Sequence, residues 1–387
     1  MPVSNAWQQR LTDALNYRQQ THRWRTRQVV KSNTLDFAGN DYLGLAQDPR
    51  VSEAQAEGAR RFGSGASASH LVSGHMEVHD ALEEALARWT GRERALLFST
   101  GYMANLGVLQ ALANRDTAIF QDRLNHASLL DGAALSGARS RRFHHRDTND
   151  LESLLGRSGC PHKLVVSDGV FSMDGDVADI ASLVTTCQRH HAWLMIDDAH
   201  GVGVLGENGS GCVGSTWNSA KVPVLVGTLG KALGTAGAFV AGDTELIDHL
   251  IQFSRSYVYT TAQPPAIAAA TLKALEIVQC EPEHRANLNA NIAYFRREAE
   301  HLGLPLSDSA TPIQPLILRD EARVLRWATH MQQQHVHVGA IRPPTVPSGE
   351  ARLRITLSAR HARDHIDQLL AALTACQREE SACLTHT

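Results

Sequence analysis

The chain has 387 residues, 43% of them hydrophobic and 20% charged, with a formal net charge of -3 and a pI near 6.7. That is a globular composition with room for one large domain and a smaller one, and its scattered basic residues exclude an electrostatic footprint for nucleic acid or a membrane surface. No run of about 18 apolar residues and no apolar leader occurs, so a cytoplasmic protein acting on a small molecule is expected.

Along the chain, Trp7, Leu11 and Leu15 recur at helical spacing and predict an amphipathic helix ending before the basic stretch His22–Gln28. Val78, Leu82, Ala85, Leu86 and Trp89 form a second helical stripe closed by Gly91, and Ala95–Ser99 follows as a strand. Leu164–Asp168, Trp193–Asp197, Val224–Thr228 and Ala238–Ala241 are apolar runs rather than alternations, which predicts strands buried on both faces and parallel. Such alternation of strands and helices over residues 75 to 245 is that of a doubly wound α/β sheet. Beyond Pro264-Pro265 the texture changes to long helices, followed by strands at Ile313–Leu318, Val336–Ile341 and Arg352–Leu357, a separate α+β unit. The expected division is an N-terminal helix and segment over 1–45, a large domain over 46–285 and a small domain over 286–387, with the last dozen residues dispensable. Cys160, Cys187, Cys212, Cys280, Cys376 and Cys383 form no C-x-x-C pair and read as ordinary thiols.

In an open α/β sheet ligands bind beyond the carboxyl ends of the strands. Four predicted strands end in polar segments: Ser99–Asn105, Asp168–Gly175, Asp197–His200 and Thr228–Lys231. Together they suit an electron-sink cofactor with a phosphate, a ring nitrogen to be kept protonated and an aldehyde awaiting an amine, which describes pyridoxal 5'-phosphate. Lys231, between glycines and apolar residues, is the candidate amine, although a turn lysine in a Gly-rich loop explains the same residues. Asp197 suits the ring nitrogen, His200 the phenolate oxygen, and Gly101, Tyr102 and Met103 at a helix start suit the phosphate, with Thr228 adding a hydroxyl.

Competing motifs fail on their surroundings. A nucleotide P-loop around Lys231 needs Gly at 225 and Ser or Thr at 232, where Leu225 and Ala232 stand. Gly201–Gly206 is a true G-x-G-x-x-G, the basis of an alternative reading as an NAD-dependent dehydrogenase, but a polar Gly-rich segment follows where a helix is needed. No metal is expected, because Asp197, His200 and His126 lack further ligands at recognisable spacing.

Across nearly its whole length the chain resembles the α-oxoamine synthases, fold-type I pyridoxal-phosphate enzymes. The resemblance is carried by Asp36–Leu45, His79–Glu84, Phe171–Gly175, Asp197–Gly201, Gly227–Gly234 and Ile341–Pro347. The last block, with Ala351–Thr356, resembles the branch serving biotin synthesis. A glycine C-acetyltransferase or 5-aminolevulinate synthase type remains the alternative within the family, and a catalytically silent module with the same fold the alternative outside it. The resemblance implies a PLP-dependent acyltransferase that condenses L-alanine with pimeloyl-CoA or a pimeloyl-carrier protein, with decarboxylation. It also implies a large mostly parallel sheet domain with a smaller α+β domain, and a homodimer with its active site at the interface. Lys231 would carry the cofactor's Schiff base, Asp197 would face the pyridine nitrogen, and His200 and Ser172 would lie near the phenolate oxygen. Gly101, Tyr102 and Thr228 would serve the phosphate, and Thr260 or Thr261 would reach a phosphate across the dimer. His126 would stack on the ring and assist as an acid. Arg354 would hold the amino-acid carboxylate with Asn40, and Arg25 and Thr345 would contact substrate.

Overall fold

The computed structural model describes residues 4–384 except 22, 28 and 32, and leaves aside the side chains of Ser4 and of residues 381–384. His22 and Gln28, at the ends of the basic stretch, and the side chain of Cys383 therefore lie outside the described residues.

The eleven strands are β1 (Leu35–Phe37), β2 (Arg94–Phe98), β3 (Thr117–Asp122), β4 (Arg139–Phe143), β5 (His162–Asp168), β6 (Trp193–Asp197), β7 (Val224–Thr228), β8 (Ala238–Gly242), β9 (Ile313–Arg319), β10 (Val336–Ile341) and β11 (Ala351–Thr356). They form a seven-stranded sheet of order β2-β8-β7-β6-β5-β3-β4 and a four-stranded sheet of order β1-β10-β11-β9. The apolar runs have a direct cause in the large sheet. Leu164 and Val166 face the cluster formed with helices Gly101–Leu112, Ala127–Ser136 and Thr244–Phe253, whereas Val165 faces the cluster formed with Thr148–Gly156 and Ile180–Arg189. With both faces covered, alternation has no reason to appear.

β8 departs from the parallel expectation and runs antiparallel to both β7 and β2. The connection Leu229–Gly237 is nine residues, too short for the dozen or more that a parallel crossover needs. Leu229 N–H therefore closes onto Gly237 O at 2.9 Å and the chain turns straight back. Lys231 sits in that reversal.

Three strands carried no sequence signal strong enough to be expected. β1 is only three residues long, and β4 is an edge strand with four of its five residues exposed. β3 is buried throughout, but Gln121 and Asp122 mask its short apolar run. The N-terminal helix forms over Ser4–Gln20, yet Trp7, Leu11 and Leu15 are 60%, 59% and 50% exposed, so the stripe is not a core face within this chain. The C-terminal end is not dispensable as far as residue 380. The helix Arg363–Leu384 buries Cys376, and Glu380 pairs with Arg323 at 2.6 Å. Among the described residues no helix is long and apolar enough to cross a membrane.

Candidate active site

The carboxyl ends of β5, β6 and β7 lie side by side, with Asp168 in register with Asp197 and Asp197 with Val226. Asp197 is 5% exposed. Its carboxylate accepts from Ala199 N–H at 3.0 Å and from Asn105 Nδ2 at 2.6 Å, and among the described residues no cation lies within 4 Å of it. Asp168, beside it, accepts from His126 N–H at 2.6 Å. Burial, then the charge of Asp197, pushes the Asp168 carboxyl well above the usual range.

The β7–β8 reversal delivers Lys231 to the same end. Gly234 in this turn has φ +66°, and a Cβ there would meet Ala46 N at 2.2 Å, so only glycine lets the turn pack on the Leu45-Ala46 backbone. Burial lowers the Lys231 amine from its ordinary value to about 8, against the opposing pull of Asp197. Lys231 Nζ lies 2.9 Å from His200 Nε2, and His200 Nδ1 lies 2.6 Å from Tyr42 Oη. Tyr42 in turn donates to Asn40 Oδ1 at 3.2 Å, and Arg354 Nη2 donates to the same oxygen at 3.0 Å. Burial first, then the neighbouring Lys231 and Arg354, hold His200 well below its usual pKa, so the ring is neutral. A neutral ring has one N–H, and the chain has one consistent direction: the amine donates to Nε2, Nδ1–H donates to Tyr42, and Tyr42 donates to Asn40.

Arg354 comes from β11 of the small sheet and is 6% exposed. Its Nε donates to Ser172 O at 2.6 Å and its Nη1 to Thr356 Oγ1 at 3.0 Å, and no carboxylate lies within 4 Å among the described residues. The contrast with Arg352, two residues earlier, is sharp: that guanidinium bridges Asp174 and Glu350. A half-buried amine is thus flanked by a buried anion and a buried cation, neither ion-paired. Each has the desolvation cost of a buried charge without the compensating ion, which is the arrangement of a site shaped for a ligand with both signs of charge.

The remaining expected residues divide. His126 is exposed, with Nδ1 held 2.7 Å from Ser128 Oγ, which also receives Asn105 Nδ2 at 2.8 Å. Thr100 caps the helix Gly101–Leu112 by accepting from Met103 N–H, leaving the first N–H groups, on Gly101 and Tyr102, at the helix start. The Tyr102 side chain, 44% exposed, points its hydroxyl to Asp131 instead. Thr228 Oγ1 donates to Gly237 O at 3.0 Å. Thr260 Oγ1 reaches only Thr261 O at 3.5 Å, apart from this network. Arg25 and Thr345 meet each other at 3.3 Å beside a cavity of about 380 Å³, and no hydrogen bond joins them to the lysine cluster. Sequence reasoning assigned no role to Tyr42, Asn105 or Asp168, although each lay inside a segment already singled out; only their contacts distinguish them. Gly201–Gly206 lies in turns followed only by the three-residue 3-10 helix Glu207–Gly209, not by the long helix a dinucleotide site needs, so the dinucleotide reading lacks its required context.

A family profile described as "Aminotransferase class I and II" matches residues 32–373. The 8-amino-7-oxononanoate synthase of Chromohalobacter salexigens is 65% identical over 383 residues, 98% of this chain and 99% of that one. The chain belongs to this aminotransferase family, in its 8-amino-7-oxononanoate synthase branch. Two solved structures are similar over nearly the whole chain. A serine palmitoyltransferase from S. paucimobilis with bound PLP has a TM-score of 0.89 at 29% identity, covering 96% of this chain and 98% of that one. The 8-amino-7-oxononanoate synthase of Francisella tularensis has a TM-score of 0.79 at 30% identity, covering 91% and 100%.

Proposed function

We propose that this protein is an 8-amino-7-oxononanoate synthase that uses pyridoxal 5'-phosphate to condense L-alanine with a pimeloyl thioester, with loss of CO2. The observation that carries this is the half-buried Lys231 amine between the unpaired Asp197 carboxylate and the unpaired Arg354 guanidinium. The donor set fits the cofactor. Asp197, without a cation, suits a protonated ring nitrogen; the Gly101 and Tyr102 N–H groups with Thr228 suit the phosphate; the exposed face of His126 suits the ring; and Ser172 suits the phenolate oxygen, as does His200 once its proton sits on Nε2 and Tyr42 donates to Nδ1. When bound, pyridoxal phosphate supplies an aldehyde for amines and a conjugated ring that takes up the electron pair left at an amino acid's Cα.

The chain's own residues do the rest. Arg354 uses three of its five N–H groups, one on each nitrogen, on Ser172, Thr356 and Asn40, and binds the alanine carboxylate with the two that remain on Nη1 and Nη2. Lys231, once free, accepts the Cα proton, and its neutral form is accessible because burial has lowered its pKa to about 8. His200, neutral and held by Tyr42, accepts a hydrogen bond from that amine and keeps it aimed. Asp197 faces the ring-nitrogen position, oriented by Asn105 and Ala199. Because Thr260 stands outside the network, a homodimer that brings Thr260 or Thr261 to the partner's phosphate site is part of this reading, as are a cytoplasmic address and the division at residues 45 and 285. The two separate sheets and the pairing of β1 with β10 support that division.

Two measurements test it. With purified protein and pimeloyl-CoA, L-alanine releases free thiol much faster than glycine or serine; a preference for glycine with acetyl-CoA or succinyl-CoA points to a sister activity. Pimeloyl-carrier protein run beside pimeloyl-CoA identifies the donor. The second concerns pH: only the neutral amine attacks an aldehyde, and the Lys231 pKa is lowered to about 8. The rate at which cofactor-free protein takes up pyridoxal phosphate therefore rises with pH and levels off just above pH 8; a rise continuing toward the ordinary lysine value shows an unperturbed amine.

A further inference from the structure

Outside the active site, His70, His75 and His79 each place a ring nitrogen within 4.8 Å of the other two. Their hydrogen bonds show which nitrogens carry lone pairs. His70 Nδ1 and His75 Nδ1 are 2.7 Å apart, so they share one proton between two lone pairs. His75 directs its other nitrogen, Nε2, to Asp80 Oδ1 at 2.8 Å. His79 Nε2 lies 2.8 Å from Gln263 O, which can only accept, so His79 carries its proton on Nε2 and its lone pair on Nδ1. That Nδ1 now accepts from Met76 N–H at 3.0 Å. An imidazole whose far nitrogen donates to a carboxylate or a backbone carbonyl is oriented as metal-binding histidines are, and here two of the three are held so.

We propose that His70, His75 and His79 form a site for a divalent transition metal of the zinc type, bound through the three Nδ1 atoms with water completing the tetrahedron. Imidazole suits such ions, and zinc–nitrogen distances of about 2.0–2.1 Å set ligand atoms roughly 3.3 Å apart. The His70–His75 contact widens by about 0.6 Å to accommodate it. The ion takes the place of the shared proton, which moves to His70 Nε2 so that the ring stays neutral, and His79 exchanges the Met76 N–H for the metal.

The fold explains how the three meet. His79 is held by the helix Glu77–Thr90, while His70 begins a wide turn, His70–Gly74, that folds back on itself. Gly74 makes this possible: a Cβ there would meet Ala68 O at 2.1 Å. The His70 ring stacks on Tyr257, with centroids 5.2 Å apart and planes 8° from parallel. A bound ion thus fastens the Ala68–His75 segment to the Tyr257–Gln263 segment, the stretch bearing Thr260 and Thr261. The sequence expectation of no metal considered Asp197, His200 and His126; none of those three takes part here. The site is independent of the proposed reaction.

The test is equilibrium competition for Zn2+ between tag-free, cofactor-loaded protein and a fluorescent chelator, on the wild type, His75→Asn and Asp80→Asn. The wild type is expected to take up one Zn2+ per chain beyond any uptake by His75→Asn, and Asp80→Asn to weaken that site by about 10- to 100-fold through loss of the orienting carboxylate. His75 is half-buried and its hydrogen bonds go to His70 and Asp80, not to the Lys231 network, so His75→Asn should keep the cofactor absorbance and the metal-free turnover, which establishes that the variant is folded. Equal Zn2+ uptake by the wild type and His75→Asn, or no uptake by either, overturns the assignment.

Discussion

Lys231→Ala is expected to abolish the visible absorbance of the cofactor-loaded protein and to lower turnover by about 10⁴-fold. One side chain holds the cofactor and moves the proton, and no other lysine stands in this network: His200 Nε2 faces Lys231 Nζ alone, and the other side of the ring is committed to Tyr42. The substitution removes the donor to His200 and opens a small polar space, so far-UV circular dichroism should be unchanged. An undiminished absorbance band would show that Lys231 is a turn lysine and that the amine lies elsewhere.

Asp197→Asn is the second large effect. The amide preserves the shape but has one acceptor oxygen where the carboxylate uses two, so it keeps only one of the bonds from Asn105 and Ala199, and it cannot counter a cationic ring. Removing one partner of a buried ion pair costs about 3–5 kcal/mol, equivalent to a loss of roughly 10²- to 10⁴-fold in turnover. Asp168 is a poor substitute, because burial and the neighbouring charge push its carboxyl well above the usual range. Removing Asp197 lifts part of that pressure, so a partial rescue that grows with pH would trace to Asp168 ionising in its place. Turnover within a few-fold of wild type at neutral pH would rule out the ring-nitrogen role.

The two variants also bound what was legible beforehand. Lys231 and Asp197 were both visible as strand-end residues, because apolar runs locate buried strands and the chemistry of an α/β sheet gathers at their carboxyl ends. Tyr42 was not. Its hydroxyl is fixed by contact with His200, 158 positions along the chain, and nothing local in Asp41-Tyr42-Leu43 announces that. Arg354 was named beforehand only through the resemblance: Arg352 and Arg354 sit two apart on β11 in equally polar company, and only the fold gives one a pair of carboxylates and leaves the other none. The antiparallel course of β8 shows the limit in reverse. A run such as Ala238–Ala241 reports burial on both faces but carries no strand direction; connection length does, and it was available in Leu229–Gly237.

By itself, then, the amino-acid order determined the alternating elements of the large sheet, the separate small sheet after Pro264-Pro265 and the segments at which polar residues end apolar strands. These are local properties, set by periodicity and by which residues tolerate burial. Tertiary structure alone decided which of those polar residues share a network, which are paired away in salt bridges and which are left charged, buried and unpaired. Coulomb and hydrogen-bond energies depend on distances of a few ångströms between residues hundreds of positions apart, and those distances exist only once the two sheets have packed. Lys231 was thus locatable from its neighbours in sequence, while its lowered pKa, its partner His200 and its place between Asp197 and Arg354 belong to the folded chain.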